Sequence, residues 1–201
     1  MIFSMSKGAS QIGAFTQRVC AVAALLLCVA MPVRASIAVL VEEPYDRMSG
    51  MNPTGHSAVY LDHVCAASPT HLRACAPGEM GVVVSRYNNV SGYDWLATPL
   101  IPYLYAVESV DQIPANVDKE TVDRLRDAYR RAHLMSVAPD DKDGNAPANN
   151  WYELVGSAYD RALYGFQFKS TPEQDAQLIA LFNDRKNKER YNWAFRNCCL
   201  L

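Results

Sequence analysis

An α+β fold is expected from three observations. Two runs rich in valine, tyrosine and leucine, 57–64 and 80–87, read as strands on either side of a turn region at 65–78 that holds two prolines. Residues 118–135 space Val122, Leu125, Ala128, Tyr129 and Ala132 by threes and fours, the period of a helix with one buried face. Thr171, Pro172 and Gln174 supply an N-cap, a first-turn proline and the reciprocal partner of a capping box. They open a second helix that runs to about residue 186, with Leu178, Leu181 and Phe182 as its buried stripe.

The two strands read as a hairpin with a long tip. A Cys65–Cys75 bridge across that tip would close a loop of roughly ten residues and stabilise the fold by roughly 2 to 3 kcal/mol. Two free thiols are the alternative. A ladder that continues the Cys65–Cys75 register sets His56 opposite Val84 and turns Ser85 to the other face.

Before these elements lies a leader. Lys7 and Arg18 give a positive start, and about thirteen apolar residues follow from Val19 to Met31. That length is short for a bilayer, which needs about twenty. Pro32 to Ser36 offer a cleavage site after Ala35, so 1–35 reads as a signal peptide and 36–201 as a single α+β domain. An uncleaved anchor helix is the alternative, and the leader is then the chain's only membrane contact. Cys20 and Cys28 leave with the leader; Cys65, Cys75, Cys198 and Cys199 remain, and an exported, periplasmic or secreted location permits their oxidation.

Of 201 residues, 50% are hydrophobic and 20% charged, an ordinary globular balance. The formal net charge of -2 offers no broad basic surface, so nucleic acid is not expected as a partner.

Elsewhere, Ile37–Val41 is a short apolar run and Leu104–Glu108 a further possible strand. Arg124, Asp127, Arg130 and Arg131 fall away from the first helix's apolar stripe and read as a solvated face. Asp140, Asp141 and Asp143 sit in a polar surface loop that lacks the alternation and terminal glutamate of a calcium-binding loop. The stretch 150–168 carries Trp151, Tyr152, Tyr159, Tyr164, Phe166 and Phe168 and reads as core. Tyr191, Trp193 and Phe195 alternate with polar or small residues in a short extended segment.

Two places could carry chemistry: Gly55-His56 at the mouth of the first strand, and Asn197-Cys198 after the extended segment. A thiol attacks as thiolate and needs a base or a local positive field to form it. Gly55-His56-Ser57-Ala58-Val59-Tyr60-Leu61 opening a hairpin, with Asn197-Cys198 late in the chain, resembles the circularly permuted papain-like hydrolases. These include permuted NlpC-type peptidases and lecithin–retinol acyltransferase-like proteins. The resemblance implies a small antiparallel sheet with helices packed on one face. It also implies His56 as general base and Cys198 as nucleophile, with a third polar residue on the next strand orienting the imidazole. Ser85 is the nearest such residue by type, with Tyr87 and Asn88 of similar standing.

An exported thiol-dependent hydrolase or acyl/amide transferase is therefore expected, acting on an amide or ester such as cell-wall peptide and needing no cofactor. In the family the cysteine opens a helix, and only three residues follow Cys198, so a domain truncated at that end is one reading. The alternatives are a non-enzymatic exported binding domain or an inactive relative of such an enzyme. A zinc site built on Cys65, His71 and Cys75, with a fourth ligand from His63 or elsewhere, is a third reading.

Overall fold

The computed structural model describes residues 36–44, 55–87, 90, 92–93 and 95–184. The leader, Asn88, the Tyr191–Phe195 segment and Asn197-Cys198 lie outside them.

Among the described residues, seven strands form two sheets. β1 (Ser36–Glu42) grows from the apolar run after the leader. β2 (His56–Leu61) and β5 (Val82–Arg86) are the two strands read from the sequence, and they pair antiparallel. With β6 (Trp95–Pro99) and β7 (Leu163–Lys169) they build an antiparallel sheet in the order β6-β5-β2-β1-β7. The tip of the β2–β5 hairpin is itself a two-stranded sheet of β3 (Val64–Ser68) and β4 (His71–Ala74). It folds back over the β6 side, where Ala97 N–H donates to Pro69 O at 2.8 Å. Cys65 and Cys75 form a disulfide at its base, with Cα atoms 4.9 Å apart.

The tip does not pass its register on to the main ladder. Val64 pairs with Ala74, but Leu61 pairs with Val82. Two residues separate the pairs on one strand and seven on the other, an odd difference. A ladder shifted by an odd count exchanges its faces. Ser85 therefore lies on the face of His56, Ala58 and Tyr60, contrary to the expectation from the cysteine register.

Helices occupy both faces, where the resemblance implied one. α1 (Leu100–Tyr105) packs Tyr103 against Ala58 and Val83 on the His56 face. α2 (Lys119–Tyr129) closes the same side through Tyr129, in a cluster with Leu96, Leu134 and Leu154. α3 (Pro172–Asn183) lays Leu178, Ile179 and Phe182 on Leu61, Val82 and Val84 of the opposite face. Its last residue is bound to β4: Leu72 N–H donates to Asn183 Oδ1 at 2.7 Å, and Asn183 Nδ2 donates to Leu72 O at 2.8 Å.

Local signals placed these helices well. Thr171 and Gln174 form the expected capping box. Asp118 caps α2 by accepting from Thr121 N–H at 2.8 Å. The strand expected from Leu104 is instead the end of α1. Pro102 stands in the first turn, where a missing N–H costs no helical bond, and Ala106 in the left-handed region ends the helix.

Several burial expectations are corrected: Leu181, read into the buried stripe of α3, is 75% exposed, and Ala128 and Ala132 of the first helix's apolar period are exposed. Arg130 lies not on a solvated face but fully buried, where it donates to Asp127 at 2.8 Å, to Asp140 at 2.6 Å and to Ala138 O at 2.9 Å. Of the aromatic stretch, Trp151, Leu154 and Val155 are core, whereas Tyr164, Phe166 and Phe168 stand exposed on β7.

The disulfide closes a loop of ten residues. Replacing both cysteines by serine should lower unfolding free energy by about 2 to 3 kcal/mol, read by denaturant titration. An equal loss on adding reductant to the parent protein, and none on adding it to the double variant, is the expected control result.

Candidate functional site

Gly55 admits His56 to the sheet. Its φ is +80°, and a Cβ there would stand 2.4 Å from the backbone oxygen of Glu42. Only glycine allows both the conformation and the approach. The chain then enters β2 with His56 directly opposite Glu42 in the ladder. Side chains of directly paired residues share a face, and both are buried, His56 at 3% exposure and Glu42 at 2%.

A hydrogen-bond chain orients the imidazole. Ser85 Oγ lies 2.9 Å from His56 Nε2 and donates to Ser57 O at 2.6 Å. A hydroxyl has one proton, and the carbonyl takes it. Toward the ring, Ser85 therefore accepts, and Nε2 of the neutral imidazole carries the N–H. Nδ1 is left with the basic lone pair. The Tyr87 ring lies beside the imidazole, centroids 5.0 Å apart. Of the three polar residues considered for orienting His56, Ser85 makes the hydrogen bond and Tyr87 makes the ring contact.

Around this pair is a buried charge cluster that no local pattern announced. Arg161 Nη2 lies 2.5 Å from Glu42 Oε2, with both side chains fully buried. Tyr103, from α1, donates its hydroxyl to Glu42 Oε1. Glu153 is also buried and feels the same guanidinium. Burial pushes the Glu42 carboxyl up to about 7; Arg161 opposes this and Glu153 adds to it. Glu153 is likewise raised by burial against the pull of Arg161. One guanidinium faces two buried carboxyls, and burial raises both against its pull. His56 moves the other way, down to about 3, because burial and then Arg161 disfavour a second cation.

Elsewhere the residues of the alternative metal readings have other uses. The Cys65 and Cys75 sulfurs are joined to each other, which removes the thiolates a zinc site needs. Among the described residues, the grouping with metal-ligand spacing is Cys65, Cys75 and Glu79, without His63 or His71. Asp140 receives Arg130 at 2.6 Å and Arg131 at 3.0 Å, and Asp141 accepts from the Asn145 and Asp143 N–H groups. These contacts build a loop rather than an oxygen cage. A cleft of about 410 Å³ beside the disulfide is lined by Met80, Leu100 and Val110 and includes no member of the His56 cluster.

Chemically, the cluster offers a neutral, oriented imidazole whose basic nitrogen is Nδ1. Glu42 and Arg161 escaped sequence reasoning because their pairing depends on strand register and on a segment more than a hundred residues away. The one available signal was a glutamate closing an otherwise apolar run.

The opposed shifts make a pH signature. Unfolded, His56 binds a proton near 6.5, but folded only near 3, so its contribution is lost as pH falls from about 6.5 to about 3. Glu42 releases its proton near 4.5 unfolded and near 7 folded, so its contribution is lost as pH rises from about 4.5 to about 7. Each changes stability by about 1.4 kcal/mol per pH unit within its window, and the two offset each other where the windows overlap. Denaturation across this range should show His56→Gln flattening the acid limb and Glu42→Gln the neutral limb; profiles parallel to the parent would refute the assignment. No protein-family model matches the chain, and comparisons with curated proteins and with solved structures return no match.

Proposed function

We propose that this chain is an exported thiol-dependent hydrolase or acyl/amide transferase of the permuted papain-like type. Its substrate is an amide or ester, with cell-wall peptide the class to test first. His56 is the general base, Cys198 the nucleophile and Ser85 the residue that orients the base. The observation that carries this reading is the His56–Ser85 hydrogen bond, which supports a proton on Nε2 and leaves the lone pair on Nδ1. A disulfide at Cys65–Cys75 is compatible with export.

In this mechanism Nδ1 takes the thiol proton as the sulfur attacks the carbonyl carbon. The tetrahedral adduct collapses, the C–N or C–O bond breaks, and the imidazolium returns the proton to the leaving amine or alcohol. Water or an acceptor amine then attacks the thioester, again with Nδ1 as base, and the thiol is restored. Burial and Arg161 hold His56 neutral. Proton transfer therefore accompanies attack, rather than preceding it in a standing thiolate–imidazolium pair.

A non-enzymatic binding domain is the second reading, favoured by the exposed rings of Tyr164, Phe166 and Phe168. Labelling separates the two. Chloroacetamide should modify Cys198 at neutral pH, and His56→Ala should slow that at least about tenfold, within the range of general-base effects. Ser85→Ala should slow it less, with near-ultraviolet circular dichroism checking that each variant is folded. A folded parent whose Cys198 does not react, or reacts equally without His56, would overturn the enzyme reading. Function unchanged in Cys198→Ser would favour the binding domain.

A further inference from the structure

We propose that β7 is a self-association edge, on which two copies pair antiparallel about Phe166 to continue the five-stranded sheets into one. This rests on the outer edge of the sheet and not on the His56 cluster.

Among the described residues β7 is the terminal strand in the order β6-β5-β2-β1-β7. Its seven residues pair with β1 in unbroken register, so it is long and regular. Among the described residues no strand pairs with its outer side; such an edge presents unpaired backbone groups, and proteins usually blunt it with proline, a bulge or inward charges. β7 carries no proline and one charged residue, Lys169 at its end. The other edge is treated differently, since Ala97 on β6 donates to Pro69 O of the folded-back tip.

The side chains add an apolar face. Tyr164, Phe166 and Phe168 lie on one side of the strand, exposed at 52%, 57% and 56%. Their ladder partners Val41, Val39 and Ile37 extend the face onto β1, with Val41 itself 40% exposed. α3 covers this side farther along the sheet but leaves the β7 stripe exposed.

The stripe is complementary to itself. Antiparallel pairing about Phe166 sets Phe166 against its copy and Tyr164 against Phe168 of the second protomer, so six rings form one cluster across the two-fold axis. Aromatic cross-strand pairs are among the favourable ones. On the reverse face the same register sets Lys169 opposite Leu163, so the two lysines do not meet.

The area sets the strength. An aromatic side chain offers roughly 200 Å². Three half-exposed rings with Val41 and the strand edge then give about 400 Å² per copy and about 800 Å² in total, below the standard size of a stable complex. A dimer with Kd on the order of 100 µM is expected.

Sedimentation of the full chain from about 1 µM to about 1 mM should show a monomer–dimer equilibrium in that range. Phe166→Lys should weaken it at least about tenfold, about 1.4 kcal/mol, while an unchanged melting temperature shows that the fold persists. Leu181→Lys, at an apolar residue 75% exposed on α3, should leave association as it was. Monomer at every concentration overturns the proposal, as does association that survives Phe166→Lys or falls equally in Leu181→Lys. Dimerisation that appears only after residues 185–201 are removed would assign the edge to that segment of the same chain, and also overturns it.

Discussion

A guanidinium with no exposed surface, Arg161 against Glu42, constrains much of the sheet's inner side. Burying such an ion carries a solvation cost of several kcal/mol, returned only where an opposite charge and further polar contacts are fixed in place. Here the counter-charge comes from the last residue of β1, and Tyr103 of α1 donates to the same carboxylate. Three chain segments that are distant in sequence are thus tied at one point. Because β1 and β2 are in register, that point is also the floor beneath His56. The field that favours carboxylate at Glu42 disfavours imidazolium at His56, so one cation sets the protonation preference of both neighbours.

How much of this was legible in the sequence follows from how local each signal is. The capping box at Thr171 and the cysteine spacing each involve residues within one turn or one hairpin, and each appears where expected; of the α2 stripe Val122 and Tyr129 are buried, while Ala128 and Ala132 are exposed. Strand register is different. It depends on whether the residues consumed by a turn are even or odd in difference, and the tip between Leu61 and Val82 changes that parity. The expectation that Ser85 faced away from His56 failed for this reason alone, although the two strands themselves were read correctly. Arg130 misled for a related reason. Its position relative to the apolar stripe suggested solvent, but Asp127 and Asp140 neutralise it and allow the chain to bury it under Trp151. The rings of β7 misled in the opposite direction, since aromatic composition indicates the capacity to be buried and not the presence of a cover.

Ser85 shows how a small residue can fix the chemistry of a larger one. Its hydroxyl spends its only proton on the Ser57 carbonyl, on a strand residue paired with Val41, while Ser85 itself is paired with Leu96. The ring can then satisfy Nε2 only by donating, and the basic nitrogen is determined by backbone geometry rather than by a charged partner. A carboxylate in the place of Ser85 would orient the ring equally well but would also stabilise imidazolium, raising the base strength and favouring a standing ion pair. A hydroxyl contributes orientation without charge. With Arg161 nearby, that choice is consistent: burial and the guanidinium already disfavour an imidazolium at His56, and a hydroxyl partner, unlike a carboxylate, does nothing to restore it.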